Sequence, residues 1–192
     1  MVKIYIIDNG GQWTHREWRT LRDIGVETKI IPNTAPFNEV VKEDVDGLVL
    51  SGGAPRVGLE SKLGNCAEYL EKAEFPVLGI CAGHQFMAHF FGGEARPSKI
   101  PEFGKIELTL LKKNDMLFEG VPKRFIVWES HNDEVTKLPE VFELLAESES
   151  CKIQAMKHKN KLFYGLQFHP EVEHTEFGGH IFRNFVKICT KK

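Results

Sequence analysis

Short apolar runs recur through the first half of the chain, separated by stretches in which apolar residues return at helical spacing. Residues 2–7, 26–31, 45–50 and 76–80 read as buried strands, because continuous apolar runs bounded by turn residues suit a sheet covered on both faces. Between them, residues 13–24 set Trp18, Leu21 and Ile24 on one helical face, residues 63–72 read as a second helix, and a third runs through Phe91 to a stop at Gly92-Gly93. The resulting order, β-α-β-β-α-β-α, predicts a parallel sheet with crossover helices. The second half changes character. Residues 105–111, 125–130 and 141–148 alternate apolar and polar positions, as strands with one wet face do. Residues 153–168 read as a hairpin turning near Lys159-Asn160, where Asn tolerates positive φ, and a helix over 179–188 closes the chain.

Composition narrows the class without naming a function. With 192 residues, 42% hydrophobic and 27% charged, the chain reads as a single soluble domain over 1–192 with a full core. A net charge of -2 with scattered Lys and Arg leaves no electrostatic footprint for nucleic acid, and the Lys191-Lys192 end is too short for a basic tail. The first apolar run stops at Asp8, too soon for a signal-peptide core or a membrane span. The four cysteines are widely spaced with no C-x-x-C pair, which fits a reduced, cytoplasmic chain. Cys66, Cys151 and Cys189 sit among apolar neighbours and read as small core residues.

Cys81 differs. In "GICAGHQ" (79–85) an apolar run leads into G-x-C-x-G and then a helix, the cysteine counterpart of the G-x-S-x-G nucleophile elbow. Gly79 and Gly83 remove side chains where a sharp strand-to-helix turn crowds the backbone, and the positive end of the helix favours a thiolate. Taken alone, the stretch also fits a structural cysteine beside a glycine-rich turn. "LQFHPEV" (166–172) sets His169 and Glu171 two apart around Pro170, on what reads as an extended segment with both side chains on one face. A carboxylate-oriented His is the base a Cys nucleophile needs, although a rim His beside a surface Glu would look the same. "LVLSGGAP" (48–55) opens a buried strand into a glycine pair at its carboxyl end, where doubly wound folds place ligands. The amides of Gly53 and Ala82 are candidate oxyanion donors, while most Gly-Gly pairs are merely turns.

"GICAGHQ", "LSGGAP" and "FHPEV" resemble the class I (triad) glutamine amidotransferase family, and the resemblance covers nearly the whole chain. The resemblance implies a flavodoxin-like α/β fold and a Cys81-His169-Glu171 triad that hydrolyses the side-chain amide of glutamine. It further implies that Gln85 and the backbone of Ser130, His131 and Asn132 hold the substrate. Within the family, "DNGGQWTHREWR", "WESHNDEV" and "HPEVEHTEFGGHIFRNF" look most like the GMP synthase branch, with Trp13 where Tyr is usual and Asn132 where Gly is usual. Since Asn adopts positive φ, the loop expected at Asn132 would be kept. That branch usually carries an ATP-pyrophosphatase domain with an S-G-G-x-D-S loop. Ser51-Gly52-Gly53-Ala54-Pro55 lacks the Asp, so the implied partner is a separate ATP-pyrophosphatase subunit that holds ATP and Mg and aminates XMP, as in two-subunit, archaeal-type enzymes. No cofactor is expected in this chain. His131, His174, His180 and His169 lack metal-ligand spacing, so no metal is expected either. The segments 8–13 and 174–177 are expected docking rims. The competing readings are a cysteine peptidase, a γ-glutamyl hydrolase, an amidotransferase serving another acceptor, and a glutamine-sensing regulatory chain.

Overall fold

The computed structural model describes residues 1–60 and 62–190; Lys191 and Lys192 lie outside the described residues. Its centre is a nine-stranded sheet. In chain order the elements are β1 (Ile4–Asn9), α1 (Thr14–Asp23), β2 (Ile30–Pro32), α2 (Phe37–Val40), β3 (Gly47–Gly53), α3 (Val57–Glu60), α4 (Cys66–Lys72), β4 (Val77–Ile80) and α5 (Ala82–Phe90). Then come β5 (Glu94–Leu110), a short 3-10 turn (Met116–Phe118), β6 (Arg124–Lys137), β7 (Phe142–Glu147), β8 (Ala155–His158), β9 (Phe163–Leu166) and α6 (Gly178–Thr190). The strands lie in the order β2-β1-β3-β4-β9-β8-β7-β5-β6. The β2-β1-β3-β4-β9 half is parallel and the remainder antiparallel.

The parallel strands read as continuous apolar runs because both faces are covered. Along β1, Ile4 and Ile6 join one buried cluster with Leu21 of α1 and Phe185 of α6, while Tyr5 and Ile7 join the opposite one with Leu70 of α4 and Met87 of α5. Side chains alternate across a strand, so one short run feeds two cores, and each fully buried Leu or Ile contributes roughly 1.5–3 kcal/mol. β4 sits mid-sheet between β3 and β9, so the elbow that follows it opens at the carboxyl end of the parallel half.

Four local expectations change. The second strand is shorter than residues 26–31 and includes Pro32; as β2 is an edge strand, the missing N–H breaks no ladder. β5 starts at Glu94 instead of residue 105 and pairs with β6 in a long arm whose register slips between Pro97 and Glu102. The slip lies where Pro97 and Pro101 interrupt the pattern of donors. The β8-β9 turn is not built on a positive-φ Asn160: the Asn160 and Lys161 amides both donate to His158 Nδ1 at 3.0 Å, which closes the turn. Nor is Asn132 in a loop at positive φ; it lies within β6.

Candidate active site

The elbow forms as its glycines require. Cys81 takes φ 49 and ψ -105 between β4 and α5, a strained conformation for an L-residue, costing about 1–3 kcal/mol. Its N–H donates to Leu166 O at 2.8 Å and its carbonyl accepts from Gln85 N at 2.9 Å, which locks the turn from both sides. A Cβ at Gly79 would stand 2.7 Å from the Gly83 carbonyl carbon, and one at Gly83 would collide with Leu50 O. Cys81 therefore sits at the N-terminus of α5, where backbone amides and the helix dipole favour negative charge.

His169 and Glu171 reach this point from the segment after β9. Their backbone is a turn, not the extended run expected of it. Val172 N donates to His169 O at 3.4 Å, and Thr175 Oγ1 donates to the same carbonyl at 2.7 Å. His169 N in turn donates to Trp128 O at 3.0 Å, and a side chain at Gly178 would collide with Pro170 O. His169 Nδ1 faces Glu171 Oε1 at 2.7 Å, with both side chains buried. Burial pulls the imidazole pKa down, but the Glu171 carboxylate and the Cys81 sulfur outweigh it and hold His169 well above the usual histidine value.

Two small cavities meet at Cys81. One, of about 270 Å³, is lined by Gly10–Thr14, Glu17, Gly52–Ala54, Cys81, Ser130, His169 and Glu171. The other, of about 210 Å³, is lined by Gly53–Arg56, Cys81, Ala82, Gln85, Phe103 and residues 130–133. Such volumes suit a small metabolite. Every residue assigned to the triad, the oxyanion hole or substrate binding borders one lobe or the other, but two side chains are occupied. Gln85 Nε2 donates to Asp133 O at 2.7 Å and Gln167 Oε1 at 3.1 Å, leaving its amide oxygen. His131 turns inward, with Nδ1 on Asp133 O at 2.9 Å and Nε2 on Glu102 Oε2 at 3.0 Å, so toward the cavity it offers backbone only.

Several residues of the site are given no role by the sequence reading, although Trp13, Glu17, Glu129 and Asp133 lie within the stretches that carry the resemblance. Trp13 packs edge-on against the His169 ring, centroids 4.5 Å apart. Arg56 is ion-paired with Asp133, whose other oxygen accepts from Gly58 N at 3.2 Å, so β6 straps the segment carrying α3 beside the second lobe. Glu17 and Glu129 are fully buried carboxyls. Both leave a trace: Glu17 shares the buried face of α1 with Thr14 and Leu21, and Glu129, His131 and Asp133 are charged or titratable residues at alternate, buried positions of β6.

A family model, glutamine amidotransferase class-I, matches residues 5–189. The chain belongs to the class-I glutamine amidotransferase family. Among similar members, a glutamine-hydrolyzing GMP synthase subunit of Thermoplasma acidophilum is 50% identical over 98% of this chain and 94% of its own. That of Pyrococcus furiosus is 52% identical over 97% and 98%. A solved structure of a GMP synthase subunit from Thermoplasma acidophilum superposes with a TM-score of 0.91 at 50% identity, covering 98% of this chain and 94% of that one. A glutamine amidotransferase from Thermotoga maritima, at 23% identity and a TM-score of 0.71, covers 97% of this chain and 81% of that one and shows the shared fold alone.

Proposed function

We propose that this chain is the glutaminase subunit of a two-subunit GMP synthase. In this reading Cys81 attacks the Cδ carbonyl of glutamine, and the Gly53 and Ala82 amides hold the oxyanion. His169 protonates the departing ammonia, leaving a glutamyl thioester on Cys81, then activates water to release glutamate. Glu171 holds the imidazole tautomer and stabilises its cation throughout. The second lobe takes the amino-acid end of the substrate, against the Gln85 amide oxygen, Ser130, Asn132 and the His131 backbone. Ammonia passes to a separate ATP-pyrophosphatase subunit, which holds ATP and Mg and aminates XMP; this chain supplies no cofactor. The reading places the reaction in the cytoplasm, where Cys81 stays reduced.

What carries the reading is the pairing of half-identity to proteins named as glutamine-hydrolyzing GMP synthase subunits with a buried His169–Glu171 pair in the same cavity as Cys81. Among the described residues no helix is long and apolar enough to cross a membrane. The test is glutamate release from glutamine by this chain mixed with the matching synthetase subunit, with and without ATP-Mg and XMP, and with Cys81→Ala as blank. Release that rises on loading the partner and vanishes in the blank supports the assignment. Absence of release in every mixture overturns it.

A further inference from the structure

Behind the His169–Glu171 pair lies a second carboxyl group for which the proposed chemistry has no use. Glu17 projects from the buried face of α1 into the cavity that holds Cys81, His169 and Glu171. Its Oε1 accepts from Gly52 N at 3.4 Å, and Gly52 lies directly against the imidazole, since a Cβ there would be 3.1 Å from His169 Cε1. Among the described residues its Oε2 is buried with no hydrogen-bond partner, and Oε2 of Glu171 is buried in the same condition. Two buried carboxyls in one small cavity, each with one unsatisfied oxygen, cannot both be anionic at low cost, and one proton between them satisfies both.

We infer that Glu17 is a positioning residue of the triad: it stays neutral and shares its proton with Oε2 of Glu171, directly or across one water. The charged and titratable groups acting on it are Glu171 and His169 from the segment after β9 and Asp8 from β1. Burial, then the Glu171 charge, push the Glu17 carboxyl well above the usual carboxylate range, in the direction of a retained proton. The shared proton pins Glu171 with Oε1 on His169 Nδ1. Ionisation of Glu17 as pH rises sets a second negative charge beside Glu171 and loosens that alignment.

The inference rests on the triad reading, and two measurements separate their failures. The first is the pH profile of glutamate release with the loaded partner for wild type, Glu17→Gln and Glu17→Leu. Gln keeps a donor that cannot ionise, so Glu17→Gln retains the neutral-pH rate and extends activity to higher pH. Glu17→Leu keeps the volume but no donor, and loses roughly ten- to a hundredfold, the worth of one charge-assisted hydrogen bond. The second is a carboxyl-carbon NMR titration of the chain alone: Glu17 and Glu129 both titrate above the ordinary range, and of these two signals only that of Glu17 vanishes in Glu17→Gln. An active wild type with an unaltered Glu17→Leu profile overturns the inference alone, as does a Glu17 carboxyl titrating in the ordinary range. An inactive wild type fails the triad reading, while the NMR titration still decides Glu17. Should Glu17→Leu not fold, Glu17→Gln and the titration suffice.

Discussion

His169 and Glu171 lie two positions apart across Pro170, and the turn they share brings Nδ1 of one to 2.7 Å from Oε1 of the other. The contact fixes which ring nitrogen carries a proton, because a carboxylate accepts and Nδ1 must donate, leaving Nε2 for the cysteine side. Replacing Glu171 with Gln keeps the size but offers an amide that can force the wrong tautomer. We expect Glu171→Gln to lower kcat for glutamate release on the order of 10²- to 10⁴-fold with little change in KM. Steady-state kinetics with the loaded partner reads this, and a kcat within about threefold of wild type would remove Glu171 from the triad.

Backbone crowding at the elbow makes a prediction about stability. Alanine at Gly79 or Gly83 puts a Cβ into backbone atoms, which no rotamer change relieves. Each substitution should cost about 1–3 kcal/mol or more, lowering Tm by at least several degrees in a chain of this size, with Gly83→Ala the worse because it strikes Leu50 O. Thermal unfolding by circular dichroism measures it; an unchanged Tm would mean the turn can open without penalty.

The legible parts of this molecule are those whose physics is local. Buried parallel strands announce themselves as unbroken apolar runs, and the elbow is carried by Gly79, Cys81 and Gly83 within one heptapeptide. The β5-β6 arm is not legible beyond residues 105–111 and 125–130, since Pro97, Pro101 and Gly104 argue against a strand and only the partner strand overrides them. The turn at 159–162 depends on His158 as acceptor, which no dipeptide rule contains. The resemblance assigns only the backbone of His131 to the substrate, and strand alternation sends its ring to the inner face with Glu129 and Asp133. Glu17 is easily overlooked because a helical face reads by its apolar members, and the informative residue there is the polar one.

Reactivity should separate the four thiols sharply. Cys66, Cys151 and Cys189 are buried in packed surroundings, and burial pushes the Cys66 thiol up to about 12 and raises that of Cys151 as well. Cys81 borders both cavities. A brief exposure of the native chain to an electrophilic glutamine analogue should add one label, on Cys81, and none in Cys81→Ala, as read by intact-mass and peptide mass spectrometry. Labelling of Cys66 at a comparable rate would contradict the burial argument.

Asp133 ties three parts of the second lobe together: its carboxylate holds Arg56 and Gly58 N, and its carbonyl receives Gln85 Nε2 and faces His131 Nδ1. The Arg56 side chain is 40% exposed, so the ion pair adds little stability. Its effect should be positional. Arg56→Ala is expected to leave Tm within about 2 °C of wild type while raising KM for glutamine severalfold and speeding proteolytic cleavage within residues 54–60. Unchanged KM and cleavage together would mean that the segment is held by its own packing.

Glu129 sets a pH dependence on folding itself. It is fully buried, neither carboxyl oxygen has a hydrogen-bond partner among the described residues, and His131 Nε2 lies 3.4 Å from its Oε2. Burial, then the charge of Glu102, raise its pKa well above the ordinary value, so the folded chain holds a proton that the unfolded chain releases near pH ~4.3. Between the two values the native state binds more protons, so the contribution to stability is fully present below about pH 4.3 and is lost as pH rises through the raised folded value. Glu17 and His169 are raised too and act in the same direction, so the informative quantity is a difference between proteins. Urea midpoints taken from about pH 5 to pH 8 should fall more steeply in wild type than in Glu129→Gln, which keeps the shape and cannot ionise. Parallel slopes would show that Glu129 is already ionised in the folded chain.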